Sequence, residues 1–122
     1  FAPHQLGHVL SGKYGVAHGA SLSAVWGSWA RYCYETNPDR FVQFGQEIWG
    51  VDGAMPAIEA AENYFRSLEM PVCLSELGVP VQDQAGLEDL AQRCTFDRTR
   101  TIGTFRILNY GDILQIYQLA NH

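Results

Sequence analysis

Apolar residues return at three- and four-residue steps along most of this 122-residue chain, and a glycine or a proline closes nearly every run. Residues three and four apart share one helix face, whereas a strand alternates its faces, so the spacing specifies helices with one buried stripe. Leu6, Val9 and Leu10 make the first stripe within residues 3–12, which the Gly12 and Gly15 pair brings to a close. From about Ala20 to Glu35, Leu22, Val25, Trp26, Trp29 and Cys33 form a broad apolar face. Asn37-Pro38-Asp39 then offers a cap, a proline suited to the first helical turn and an acid for the positive helix end. Behind it Phe41, Phe44, Ile48 and Trp49 are the expected buried face, with Gly50 as the stop. Pro56 opens another helix bearing Ile58, Ala61, Phe65 and Leu68, which Met70-Pro71 terminates.

The periodicity lapses over residues 71–82, a connector that Leu74, Leu77 and Val79 are expected to pin to the core. Asp83 can cap a short helix with Leu87, Leu90, Ala91 and Cys94 inward. Residues 95–108 read as a loop with room for a brief strand, Phe105, Ile107 and Leu108 being its apolar part. Asn109 and Asp112 form a capping-box pattern ahead of Ile113, Ile116, Tyr117 and Ala120. Six helical segments predict an all-α helical bundle, and the length suffices for one domain over residues 1–122.

Charge narrows the partners. Eight Lys and Arg stand against 13 Asp and Glu, a net charge of −5, with no basic run. Nucleic acid and anionic membrane call for a cationic surface and are excluded as expected partners. No apolar stretch approaches the roughly 20 residues needed to cross a bilayer. Cys33, Cys73 and Cys94 are odd in number, widely spaced and form no CxxC pair, which predicts reduced thiols and a cytoplasmic location. The chain opens on Phe1 rather than Met, with no signal-peptide pattern, and is expected to be a C-terminal piece of a longer protein.

The chemistry concentrates near the start, where His4, His8 and His18 follow H-x3-H-x9-H. His4 and His8, four apart, share a helix face, and the glycine-bearing turn before His18 can bring its ring back across that helix. Imidazole suits Zn, Fe, Ni and Cu. On spacing alone, a shared metal and three ordinary surface or hydrogen-bonded histidines are evenly matched readings. A zinc-protease reading fails, because that motif needs a glutamate directly after the first histidine and Gln5 cannot take a proton. No acid occurs before Glu35, so a harder metal such as Fe(II) would need a carboxylate from elsewhere.

The run His4-Gln5-Leu6-Gly7-His8-Val9-Leu10-Ser11-Gly12-Lys13-Tyr14-Gly15-Val16-Ala17-His18-Gly19 resembles the histidine signature of the iron-containing (group III) alcohol dehydrogenases, with the butanol dehydrogenase branch nearest in look. The similarity continues through Trp26 to Tyr34, Phe44 to Gly50, Met70-Pro71, Leu74 to Gly78 and Asp112 to Tyr117. It therefore covers essentially the whole chain, aligned to roughly the last third of a family member. The resemblance implies the C-terminal part of the helical metal-binding domain of a dehydroquinate synthase-like fold. The dinucleotide-binding N-terminal domain and the first helices would lie outside these residues. It implies His4 and His18 as metal ligands, with an upstream Asp and His completing the set. His8 would stand beside the nicotinamide and substrate, relaying a proton or positioning the alcohol. The implied cofactors are a divalent metal, Fe2+ or Zn2+, and NAD or NADP, bound mainly by the missing domain. The implied reaction moves a hydride between an alcohol or aldehyde and NAD(P), with the metal polarising the substrate oxygen.

Three further expectations follow. The 122 residues alone should be catalytically inactive, lacking half the ligands and the cofactor domain, and should self-associate or belong to a homo-oligomer through apolar surface left open. The rival reading is a non-catalytic helical metal-binding or interaction module using His4, His8 and His18. Elsewhere, Trp26, Trp29 and Trp49 read as packing residues, Cys33 and Cys94 as small buried hydrophobes, and Cys73 as a weak candidate for lining a pocket. Arg98, Arg100 and Arg106 read as a solvated loop, Gly19 as a point of close backbone approach, and His122 as the chain end.

Overall fold

Glycine fixes where two of the helices stop. Gly15 adopts φ +68° after the first helix and Gly50 φ +63° after the third, the left-handed region where a side chain is strained. The computed structural model describes residues 2–96, 98, 100–103 and 106–122. Its helices are α1 (Ala2–Tyr14), α2 (His18–Cys33), α3 (Pro38–Trp49), α4 (Ala54–Ser67), α5 (Leu74–Leu77), α6 (Gln84–Cys94) and α7 (Tyr110–Ala120), with a 3-10 turn at Tyr34–Thr36 after α2. Among the described residues the only extended pairing is an isolated antiparallel bridge between Ile102 and Leu108, so the fold is all-α.

Several boundaries differ from the sequence pattern, each for a local reason. Gly12 does not end α1; its backbone stays helical and the left-handed turn comes at Gly15. The connector after Pro71 contains the one-turn helix α5, closed by Gly78 at φ +92°. Leu74 and Val79 pin that turn to the core, while Leu77 is half-buried. Loop 95–108 holds the bridge of Ile102 and Leu108, both buried, whereas Ile107 points to solvent at 70% exposure. Phe105, grouped with them by sequence, lies outside the described residues. Ile48 and Leu68, expected in the core, are 59% and 52% exposed. Ile48 sits in the last turn of α3 and Leu68 at the C-cap of α4.

Helix α2 is the shared wall of two apolar clusters. On one side Leu6 and Leu10 of α1, Val25 and Cys33 of α2, Leu74 of α5, Leu90 and Cys94 of α6 and Ile113, Ile116 and Tyr117 of α7 are wholly buried. Tyr117 closes this core and satisfies its hydroxyl by donating to the Leu6 carbonyl at 2.8 Å. On the other side Ala30, Phe41 and Ile58 join α2 to α3 and α4, ringed by the half-buried Trp26, Trp29, Tyr34 and Met55. The N-terminus of α7 carries the capping box, Asn109 accepting from the Asp112 amide and Asp112 from the Asn109 amide, each at 3.0 Å.

Candidate metal centre

Two features of α1 and α2 bring the histidines together. The left-handed Gly15 reverses the chain, leaving Val16 and Ala17 before α2 begins at His18. Further back, Gly7 lets the helices touch: a Cβ there would come within 3.2 Å of the Leu22 backbone nitrogen and 3.3 Å of the Ser21 carbonyl carbon. Ser11 and Ser21 then share a hydrogen bond of 3.0 Å between hydroxyls across the same contact. The close approach belongs to Gly7 and not to Gly19, where an added Cβ would meet nothing within 4 Å.

The three imidazoles form a tight triangle. Ring centroids are 4.6 Å apart for His4 and His8, 4.5 Å for His4 and His18, and 4.6 Å for His8 and His18. One nitrogen from each can be chosen so that all lie within 4.8 Å of one another. His18 Nε2 lies 3.3 Å from His4 Nδ1, and His18 Nδ1 is buried without a hydrogen-bond partner. His4 and His8 are exposed, His18 half-buried. The His4 pKa is lowered below its ordinary 6.5, first by desolvation and then by repulsion from His18 and His8. Three protonated rings would repel at this separation; three neutral ones can turn lone pairs toward a common centre. No carboxylate joins the group among the described residues. An all-nitrogen donor set with a buried unpartnered nitrogen fits a borderline divalent cation such as Fe2+ or Zn2+.

A model of the Fe-containing alcohol dehydrogenase family, C-terminal region, matches residues 1–121. The chain belongs to that family. Among curated relatives of this iron-type family, it is similar to the NADH-dependent butanol dehydrogenase A of Clostridium acetobutylicum, with 31% identity covering 94% of this chain and 31% of that protein. It is also similar to the NADP-dependent alcohol dehydrogenase 3 of Entamoeba histolytica, with 38% identity over 62% of this chain and 20% of that protein. Among solved structures, the NADH-dependent butanol dehydrogenase A of Thermotoga maritima superposes with a TM-score of 0.88 at 28% identity, covering 99% of this chain and 33% of that one. The chain thus spans about a third of the length of the iron-type dehydrogenases it matches.

The other singled-out residues sort by packing. Cys33, Cys73 and Cys94 are all buried free thiols, and burial pushes Cys33 and Cys94 up to about 11. Trp26, Trp29 and Trp49 pack among Phe41, Phe44, Tyr64 and Phe65. The loop arginines are not simply solvated. Arg106 lies over the Tyr32 ring and 3.7 Å from Asp112, Arg98 lies 4.0 Å from the Tyr110 ring centroid, and Arg100 lies 3.7 Å from that of Phe96. His122 is exposed, and its carbonyl accepts from the Ser75 amide at 2.9 Å.

Proposed function

We propose that this chain supplies part of the metal-holding helical domain of an oxidoreductase that moves a hydride between an alcohol or aldehyde and NAD(P). In this reading His4 and His18 hold the divalent metal and His8 handles the substrate proton. The observation that carries it is the triangle of imidazoles whose nitrogens lie within 4.8 Å, in a chain of this family. When bound, a divalent ion supplies Lewis acidity toward the substrate oxygen and a nicotinamide supplies or accepts the hydride.

The chain's own residues have three tasks. His4 and His18 present imidazole nitrogens, and the lowered pKa of His4 keeps its lone pair free at neutral pH. His8, exposed beside them, can take the alcohol proton and pass it to water, or return one during aldehyde reduction. The Gly7 contact sets the distance between α1 and α2, and with it the spacing of the rings. Among the described residues the group offers three nitrogens at most, and in this reading residues outside these 122 complete the set and build the nicotinamide site. The chain alone is accordingly inactive toward alcohols with NAD+ or NADP+.

Titration of the chain with Zn2+ and anaerobic Fe2+, followed by calorimetry, tests the assignment. His4→Ala and His18→Ala should each weaken uptake by about tenfold or more, with His8→Ala much milder. Failure of the unmodified chain to take up either metal, or uptake unchanged in both ligand variants, would remove it.

A further inference from the structure

Beside His8 a cleft of about 540 Å³ opens between α1 and the end of α6. Its rim is cationic: Lys13 from α1, Arg93 from α6 and Arg100 from the following loop, and no carboxylate lines it among the described residues. Arg98 and Arg100 border a second opening, again lined by no carboxylate among the described residues. Four of the eight basic residues of a chain with net charge −5 thus gather on one face, next to the candidate metal centre.

Among the described residues, the local pairing cancels only part of that charge. Lys13 Nζ and Arg93 Nε both donate to the same oxygen of Asp89, at 2.6 and 2.8 Å, so one carboxylate faces two cations. Arg100 has no carboxylate partner among the described residues. Its Nε donates to the Cys94 carbonyl at 3.0 Å and its guanidinium lies 3.7 Å from the Phe96 ring centroid. An arginine held by stacking and one backbone bond is preorganised, and its terminal amino groups remain available for a planar oxyanion. Gly12 keeps the floor open. It sits inside α1, where glycine costs up to about 1 kcal/mol relative to alanine, yet no neighbour lies within 4 Å of where its Cβ would stand. Its missing side chain serves no packing contact and leaves the space between Lys13 and His8 free.

We propose that this cleft binds the carboxylate or phosphate group of a small molecule whose reacting end lies at His8. The anion's place in the cleft stands on the cationic rim alone; only its link to a reacting end at His8 rests on the function proposed above. The substrate class is thereby sharpened. A carboxylate in the cleft means a hydroxy acid or its semialdehyde in preference to a plain alkanol. A phosphate there means that the cleft steadies the dinucleotide.

Titrations of the chain with succinate, inorganic pyrophosphate and, as the neutral control, 1,4-butanediol test this by calorimetry and amide chemical shifts. One or both anions should bind, more tightly as salt is lowered, with shifts at Gly12, Lys13 and Arg100, and the diol should not. Arg100→Met should weaken binding roughly fivefold, Arg100→Lys much less, and Lys13→Met should weaken it too. Helical circular dichroism checks that each variant is folded. Preference for succinate assigns the site to a substrate acid group, and preference for pyrophosphate to the cofactor. No anion binding, binding of the diol alongside the anions, or indifference to Arg100→Met in a folded variant would overturn the proposal. Zn2+ uptake measured on the same samples separates the two readings: normal metal uptake without anion binding sinks the cleft alone, and the reverse sinks the metal centre alone.

Discussion

The two faces of α2 are packed in different ways. Toward α1, α6 and α7 the core is mostly aliphatic and closed, with Leu6, Leu10, Val25, Leu90, Ile113 and Ile116 fully buried around Tyr117. Toward α3 and α4 it is aromatic and half-open: Ala30, Phe41 and Ile58 are buried, but the tryptophans around them are not. An open groove of about 180 Å³ lies among Trp26, Trp29, Phe41 and Phe44. The aromatic side compensates with an ion pair, Arg31 of α2 gripping the buried Glu62 of α4 where Gly27 leaves room for the carboxylate. The histidines stand on the closed side. Holding three rings within 4.8 Å needs helices that do not shift, and an interlocked aliphatic core supplies that rigidity better than aromatics with space beside them.

Truncating each core tests this contrast most severely. Ile116→Ala should cost about 3–4 kcal/mol in urea unfolding, and Phe41→Ala about 3 kcal/mol or less, because its ring borders a groove open to solvent. The Ile116 variant should also weaken Zn2+ uptake while the Phe41 variant leaves it unchanged; the opposite pattern would break the assignment of support to the closed side. Next in size, Glu62→Gln strips a partly exposed arginine of its buried partner. It should cost about 1–2 kcal/mol after allowance for solvent at Arg31, again without touching metal uptake. The smallest effect is a titration. By NMR, His4 should take up its proton below pH 6.5, and replacing His8 or His18 by alanine should move that midpoint upward. Its folded pKa being depressed, the ring favours the folded state above the unfolded value near 6.5, and that contribution is lost as pH falls through the folded pKa. A midpoint at or above 6.5 would mean that the rings do not crowd one another.

What the sequence made legible was local. The capping box of Asn109 and Asp112 spans four residues, whereas helical spacing and a glycine turn leave a shared site for His4, His8 and His18 and three ordinary histidines evenly matched without the family resemblance. Features set by distant chain were not legible. Ile48 and Leu68 continue their stripes, but a stripe alone does not say which of its members a distant segment will cover. The burial of Glu62 depends on Arg31, a partner 31 residues away in the chain, which no local pattern announces. The cationic cleft unites Lys13 with Arg93 and Arg100, and no spacing rule links residues that far apart. The glycine misreading has the same origin: Gly7 and Gly19 look alike as letters, and only the crossing of α1 and α2 separates them.

The sulfur atoms offer a built-in stopwatch. Cys33, Cys73 and Cys94 sit on three separate stretches of chain, each sealed from water. A maleimide pulse can therefore modify them only when the surrounding helices part, so the order in which they react reports the order in which the bundle opens. The same seal keeps the three thiols away from zinc added to the folded chain.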